Sequence, residues 1–212
     1  MHPDPIFRKT PESANIAFAR ECSFGTLAVA AEAEGAPLIS HIPFLLSEDG
    51  SVAEFHLVRS NPIARALLCA PLQARLAVVG PQGYVSPDWY GVADQVPTWN
   101  YVAVHLVGEI ALCPGDELRD LLDRQSALFE DRLLPKTPWK TDKMTPDLLD
   151  KMMRQIVACR MRVDQVDGTW KLNQNKTDEA RLRAADRIAA TGQGQELGAL
   201  AHLMRNKGPG DG

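Results

Sequence analysis

The chain has 212 residues and a mass of 23.3 kDa, enough for one or two domains. Its 45% hydrophobic and 24% charged residues belong to an ordinary folded chain and rule out global disorder. A net charge of -4, from 23 basic and 27 acidic residues, argues against a purely electrostatic grip on nucleic acid. The start of the chain carries Pro and Asp where a signal peptide needs a basic and then an apolar run. No apolar stretch approaches the ~20 residues of a membrane span, so the expectation is a cytoplasmic protein without a membrane partner.

In chain order, the first expected element is a short helix over 13–21, with Ser13 as its cap. Residues 24–31 suit a helix by their alanines or a strand by their neighbours, because 38–46 reads as a strand and Glu34-Gly35 as a hairpin turn. Pro43 then belongs at an edge or a bulge. Residues 52–58 alternate with period two, and Asn61-Pro62 ends that strand and opens a helix over 63–69, Asn as cap and Pro at the first helical position. Next come a short strand over 75–79, a Gly/Pro-punctuated loop over 80–90 and a strand over 101–112. Consecutive strands with one short helix between them point to an antiparallel barrel or sandwich.

After Pro114, Leu118, Leu121, Leu122, Gln125, Leu128 and Phe129 repeat at helical spacing, and 144–156 forms a second amphipathic helix. Residues 157–166 alternate again as a strand that Gly168 breaks, and helices are expected over 178–190 and 195–204 before a disordered tail at 207–212. The division expected is a main domain over 1–190, with inserted helices at about 114–156, and a C-terminal helix and tail over 191–212.

Cys22, Cys69, Cys113 and Cys159 show no CxxC spacing and read as small buried hydrophobes. No two of the five histidines form a close ligand pair, so no metal site is expected. Chemistry concentrates in four segments. In His56-Leu-Val-Arg59-Ser60-Asn61-Pro62 a strand empties into a helix, where Arg59 and free amides suit a phosphate; taken alone, the segment reads first as a helix cap with a solvated arginine. The segments 83–90 and 96–101 hold Trp89, Trp99 and every tyrosine among short polar residues. Such a mixture suits a planar heteroaromatic ligand, or a loop pinned by buried aromatics. The fourth, 170–176, is amide-rich and carries Lys171. No nucleophile or proton donor for a substrate stands out, so catalytic residues are left unassigned.

Taken jointly, Gly25-Thr26-Leu27, Ser40-His41-Ile42-Pro43-Phe44, His56-x-x-Arg59-x-Asn61-Pro62, Gly83-Tyr84-Val85-Ser86-Pro87-x-Trp89-Tyr90, Pro97-Thr98-Trp99-Asn100-Tyr101-x-x-x-His105 and Lys171-Leu172-x-Gln174-Asn175 resemble the PaiB-like family of FMN-binding negative transcriptional regulators over roughly residues 1–190. The resemblance implies a mainly β protein with flanking helices, an FMN-binding split β-barrel of the pyridoxamine-phosphate-oxidase-like superfamily, as a homodimer. It implies that Arg59, Ser60 and Asn61 meet the FMN phosphate and that Ser40, His41, Ile42 and Pro43 lie along the isoalloxazine. Ser86, Trp89, Thr98, Trp99, Asn100, Lys171 and Gln174 then complete the pocket from the same or the other subunit. The implied role is regulatory, with flavin as bound cofactor or sensor and with DNA or a regulatory protein as a further partner. An FMN-dependent oxidoreductase and a haem-binding or haem-degrading split barrel are the alternatives. The helices over 178–190 and 195–204 carry Arg181, Arg183, Arg187, Arg205 and Lys207 and admit a helix-turn-helix reading, against ordinary packing.

Overall fold

The computed structural model describes residues 1–30 and 35–209. Helix α1 (Glu12–Cys22) begins ahead of Ser13: the Pro11 carbonyl accepts the Ala14 and Asn15 N–H groups, so Ser13 lies in the first turn and is not the cap. Strand β1 (Phe24–Val29) settles the competition over 24–31 in favour of sheet, with Leu27 and Val29 buried on one face and Phe24 exposed on the other. It pairs antiparallel with β2 (Leu38–Pro43), Thr26 opposite His41 and Phe24 opposite Pro43. The turn placed at Glu34-Gly35 falls on Glu34, outside the described residues.

Strand β3 (Leu45–Leu46) turns into β4 (Val52–Val58) through Asp49, whose carboxylate accepts the Ser47 and Ser51 hydroxyls at 2.6 and 2.7 Å. These bonds, the Ser47 one foremost, hold the Asp49 carboxyl down at about 2. Helix α2 (Pro62–Ala66) has the expected start: Asn61 Oδ1 accepts the Ile63 N–H at 2.8 Å and Pro62 follows the cap. It is shorter than expected.

The largest correction is β5 (Leu72–Val85), which runs through Gly80, Pro81 and Gly83 where a loop was expected. Those glycines mark close contact instead of a turn, since the Phe18 ring stands where a Gly80 Cβ would be. A 3₁₀ turn (Pro87–Tyr90) leads to β6 (Thr98–Leu112), α3 (Glu117–Asp131) and α4 (Pro146–Met153). Strand β7 (Ile156–Lys171) passes through Gly168, which does not break it; the Asn15 amide occupies the space a side chain would take there. Helix α5 (Asp178–Thr191), strand β8 (Gly194–Gln195) and helix α6 (Leu197–Asn206) complete the chain. The sheet order is β2-β1-β5-β6-β7-β4-β3, with β8 on β5, which leaves β2 and hence Pro43 at an edge. The expectation of a mainly β chain with flanking helices is borne out. The cysteines depart from theirs: Cys159 is buried, but Cys69 is exposed and Cys22 and Cys113 are half-buried.

Two compact units divide the chain, and β5, β6 and β7 each contribute one part to either. In the unit formed by Met1–Phe18, Val78–His105 and Val166–Gly212, Val85, Tyr90, Val102, Trp170 and Leu172 pack with Ala184 and Ile188 of α5 and Leu200 and Met204 of α6. Arg181, 3% exposed, donates from Nη1 to the Met204 carbonyl and, at 2.7 Å, to that of Arg205, supplying donors to the end of α6. Arg205 pairs with Asp186, Lys207 with Asp178, and Arg183 donates to the Tyr90 carbonyl. The segment between the two helices is itself paired to the sheet through Gln195 opposite Gln82. This is the geometry of packing. Arg181→Ala is expected to cost about 2 to 4 kcal/mol in urea unfolding, because buried carbonyls lose a charged donor; a loss under about 0.5 kcal/mol would show that the bonds carry little.

In the unit formed by Ala19–Ala77 and Leu106–Gln165, the buried side chains include Leu27, Phe55, Leu76, Leu106, Ile110 and Met161 from the strands and Phe44 between β2 and β3. Leu118 and Leu121 of α3 pack with Ala158 on β7. Polar pairs join α3 to β4: Arg124 Nη1 donates to Glu54 Oε2 at 2.8 Å, and His56 Nδ1 lies 3.1 Å from Oε1 of buried Gln125. Burial pushes the His56 imidazole below its ordinary 6.5, with the Gln125 bond opposing. The folded ring therefore takes up its proton at a lower pH than the unfolded chain, which does so near 6.5. The stabilisation is present above that pH and is lost as pH falls below it. The urea midpoint is expected to drop between about pH 7.5 and about pH 5.5, and His56→Gln to flatten that part of the profile; an unchanged acid slope in the variant would remove His56 as its cause.

Candidate functional site

The site residues expected from sequence divide between the units. Ser40, His41, Ile42, Pro43, Arg59, Ser60 and Asn61 lie in the second; Ser86, Trp89, Thr98, Trp99, Asn100, Lys171 and Gln174 lie in the first.

In the second unit, the end of β4 is tied to the α4–β7 junction by Arg59. Its N–H donates to the Gln155 carbonyl at 2.8 Å, its Nε to that of Arg154 at 3.1 Å and its Nη2 to that of Ile156 at 3.3 Å. A guanidinium presents Nε and Nη2 along one edge and Nη1 with the second Nη2 hydrogen at its end. The edge is taken by main chain, and the end fork has no further partner among the described residues. Beside it Asn61 caps α2 with its carbonyl oxygen and donates from Nδ2 to Ser40 Oγ at 2.7 Å, which leaves the Ser40 hydroxyl hydrogen free to donate. The Ser60 residue is exposed. The Arg59 fork and the Ser40 and Ser60 hydroxyls are donors of the kind a phosphate takes.

The pleat separates the residues of β2. His41 and Pro43 share a face with Ile39, whereas Ile42 is buried on the face of Ser40. His41 Nδ1 lies 3.0 Å from Thr26 Oγ1 on the paired strand, a partner that sequence reading missed although the register of the hairpin would have given it. One backbone edge of β2 has no strand partner among the described residues, and such an edge offers amide donors and carbonyl acceptors to the rim of a planar heteroaromatic. These residues fit a flavin mononucleotide by donor chemistry at the phosphate end and by the free strand edge beside it.

In the first unit, the Lys171 ammonium donates to Thr98 Oγ1 at 2.7 Å and lies 5.8 Å from the centre of the Phe7 ring. Burial lowers the pKa of this lysine. Trp99, 44% exposed, meets Tyr84 edge to face with ring centres 6.4 Å apart. Trp99 is exposed, and Lys171, Thr98 and Ser86 are half-buried. Asn100 is fully buried and donates to Met204 Sδ at 3.4 Å, while Trp89 packs against the α5–α6 core. Gln174 accepts the Leu172 N–H at 2.8 Å and donates back to the Trp170 carbonyl, a local turn bond. Ser86 precedes the 3₁₀ turn without a side-chain bond to it. Buried Tyr90, donating to Asn173 at 3.2 Å, is a further polar pair of this unit. Among the described residues no group of three or more His, Cys, Asp or Glu is placed to hold a metal, and no helix is long and apolar enough to cross a membrane.

Residues 1–165 match a family described as "Putative FMN-binding domain". The chain is 29% identical over 192 residues to the Protease synthase and sporulation protein PAI 2 of Bacillus subtilis, covering 90% of this chain and 89% of that one. Among solved structures it is similar to an FAD and heme binding protein from Mycobacterium smegmatis, with a TM-score of 0.57, 18% identity and coverage of 89% and 82% of the two chains. It is also similar to a conserved hypothetical protein from Mycobacterium tuberculosis, with a TM-score of 0.55, 12% identity and coverage of 81% and 91%. The two structures show the fold alone, and it is the split-barrel fold that the motifs implied. With most of its length matched, the chain belongs to the FMN-binding domain family, the PaiB-like group that its motifs resemble.

Proposed function

We propose that the chain binds FMN in its second unit and acts as a cytoplasmic, PaiB-type regulator in which the flavin is a bound cofactor or sensor. The observation that carries this reading is the free end fork of Arg59, held in place by the Arg154 and Ile156 carbonyls beside the Asn61–Ser40 bond. Arg59 and the Ser40 and Ser60 hydroxyls bind the phosphate, and the open edge of β2 reads the rim of the ring. Of the first-unit residues, Lys171, Thr98 and Trp99 are assigned as ligand contacts of that unit. When bound, FMN supplies reversible electron chemistry and a visible chromophore. Saturable binding at one FMN per chain, followed by quenching of flavin fluorescence, tests the reading. Arg59→Ala is expected to weaken FMN by about 1.5 to 3 kcal/mol, with the unfolding midpoint little changed; unaltered affinity would move the phosphate elsewhere.

We also propose a homodimer through the outer face of the β2-β1-β5 sheet. There Phe24 and Ile39 are 56% and 58% exposed, flanking the Thr26–His41 pair, with Ala28 opposite both Ile39 and Arg75. Large apolar side chains exposed on one open sheet face, here on either side of a Thr–His pair, suit an interface, and a two-fold axis lets one face serve both partners. The regulated partner is then a protein or DNA met by the dimer. Since Arg181, Arg183, Arg205 and Lys207 are engaged within the chain, the α5–α6 pair is not proposed as a DNA-reading element. Ile39→Glu is expected to convert dimer to monomer in sedimentation velocity; an unchanged mass for both proteins would place the interface on another surface.

A further inference from the structure

Arg59 does two things with one side chain. The Arg154 carbonyl at the C-cap of α4 has no helical donor, as at any helix C-terminus, and here the Arg59 guanidinium supplies one, while its second acceptor, Ile156, is the first residue of β7. The bonds to Arg154 and Ile156 use Nε and Nη2, and the adjoining Arg59 N–H fixes the Gln155 carbonyl between them. The α4–β7 junction therefore restrains the fork. We infer that the main chain over 154–156 positions the Arg59 fork, so that binding of a phosphorylated flavin and the order of α4 form one coupled equilibrium.

The inference rests on the proposed flavin site and adds its regulation. α4 is short and lightly anchored: Leu149 is its buried residue, whereas Leu148 and Met152, one turn apart on one face, are 49% and 51% exposed. A helix of this length has little stability of its own, so bonds at its C-terminal end weigh heavily in whether it stays formed. A phosphate on the end fork steadies the guanidinium plane further, and with it the donor to the C-cap carbonyl of α4. By reciprocity, loosening α4 frees Arg59 and weakens the phosphate by the same factor. Flavin occupancy then sets how steadily the Leu148–Met152 face is presented. Riboflavin, which offers the same ring without the phosphate, has no such lever.

The test is hydrogen exchange of the full chain with saturating FMN, with saturating riboflavin and without ligand, together with affinities for both flavins in the Lys151→Pro variant, which breaks α4 at an exposed position. FMN is expected to slow exchange over 146–157 severalfold, riboflavin to leave it unchanged, and Lys151→Pro to weaken FMN about fivefold or more with riboflavin unaffected. Should FMN saturate the protein without protecting 146–157, should riboflavin protect it equally, or should Lys151→Pro weaken both flavins alike, the coupling is wrong and flavin binding stands. If neither flavin binds, the flavin reading itself fails and takes the coupling with it. Where Lys151→Pro does not fold, the exchange comparison on the native chain decides.

Discussion

At several places the chain brings a neighbour into the space where a side chain would stand, and the sheet depends on these close approaches. A Cβ on Gly108 of β6 would overlap the Arg162 carbonyl of β7, so the two strands pass there only because position 108 has no side chain. At Gly168 the space goes to the Asn15 amide, whose oxygen accepts the Trp170 indole N–H at 2.8 Å. That bond satisfies an indole 3% exposed in the core shared with α5 and α6. Burying this large ring is possible because its polar atom is paired, and the pairing is possible because residue 168 is glycine.

The same fact explains which parts of the fold were legible in the sequence. Period-two alternation over 52–58 and the Asn61-Pro62 cap are local signals, with the physics contained in a few residues, and both emerge where expected. Gly80, Gly83 and Gly168 carry no local mark to separate a turn from a close approach. Their roles depend on Phe18, Leu197, Leu200 and Asn15, far away in sequence. Strands β5 and β7 therefore run past the points where glycine suggested an end. Cysteine burial was likewise set by position: Cys69 follows α2 on the surface, while Cys159 sits mid-strand, where burial pushes its thiol up to about 12.

The candidate site was legible to the extent that its chemistry lies in side chains. Asn61 and Ser40 meet, two residues past Arg59, because a helix cap and an edge strand come together at a strand end, and the sequence carried each of those signs. What it could not carry is the partner of Arg59, since Arg154, Gln155 and Ile156 act through carbonyls that every residue has. Nor does a run of adjacent motif residues imply a shared face. Along β2 the pleat turns His41 outward and Ile42 inward, and at the start of β6 the 44%-exposed Trp99 is followed by a fully buried Asn100. Motif membership and ligand contact are different properties, and strand parity is what separates them.

Arginine is the residue this junction requires. A lysine at 59 has one ammonium and no rigid plane, so it can satisfy carbonyls or face a phosphate, but engaging one group fixes no geometry for the other. The guanidinium donates along an edge and at an end that share a plane, so bonds on the edge orient the end. The two main-chain bonds made here, at 3.1 and 3.3 Å, are long for charge-assisted hydrogen bonds. They orient the group without consuming its charge, since amide carbonyls carry no formal charge to neutralise it. A carboxylate in their place would have held Arg59 as firmly and left little attraction for an anion. Neutral acceptors on one edge and an open fork at the other therefore separate the task of positioning from the binding task proposed for the fork, within a single side chain.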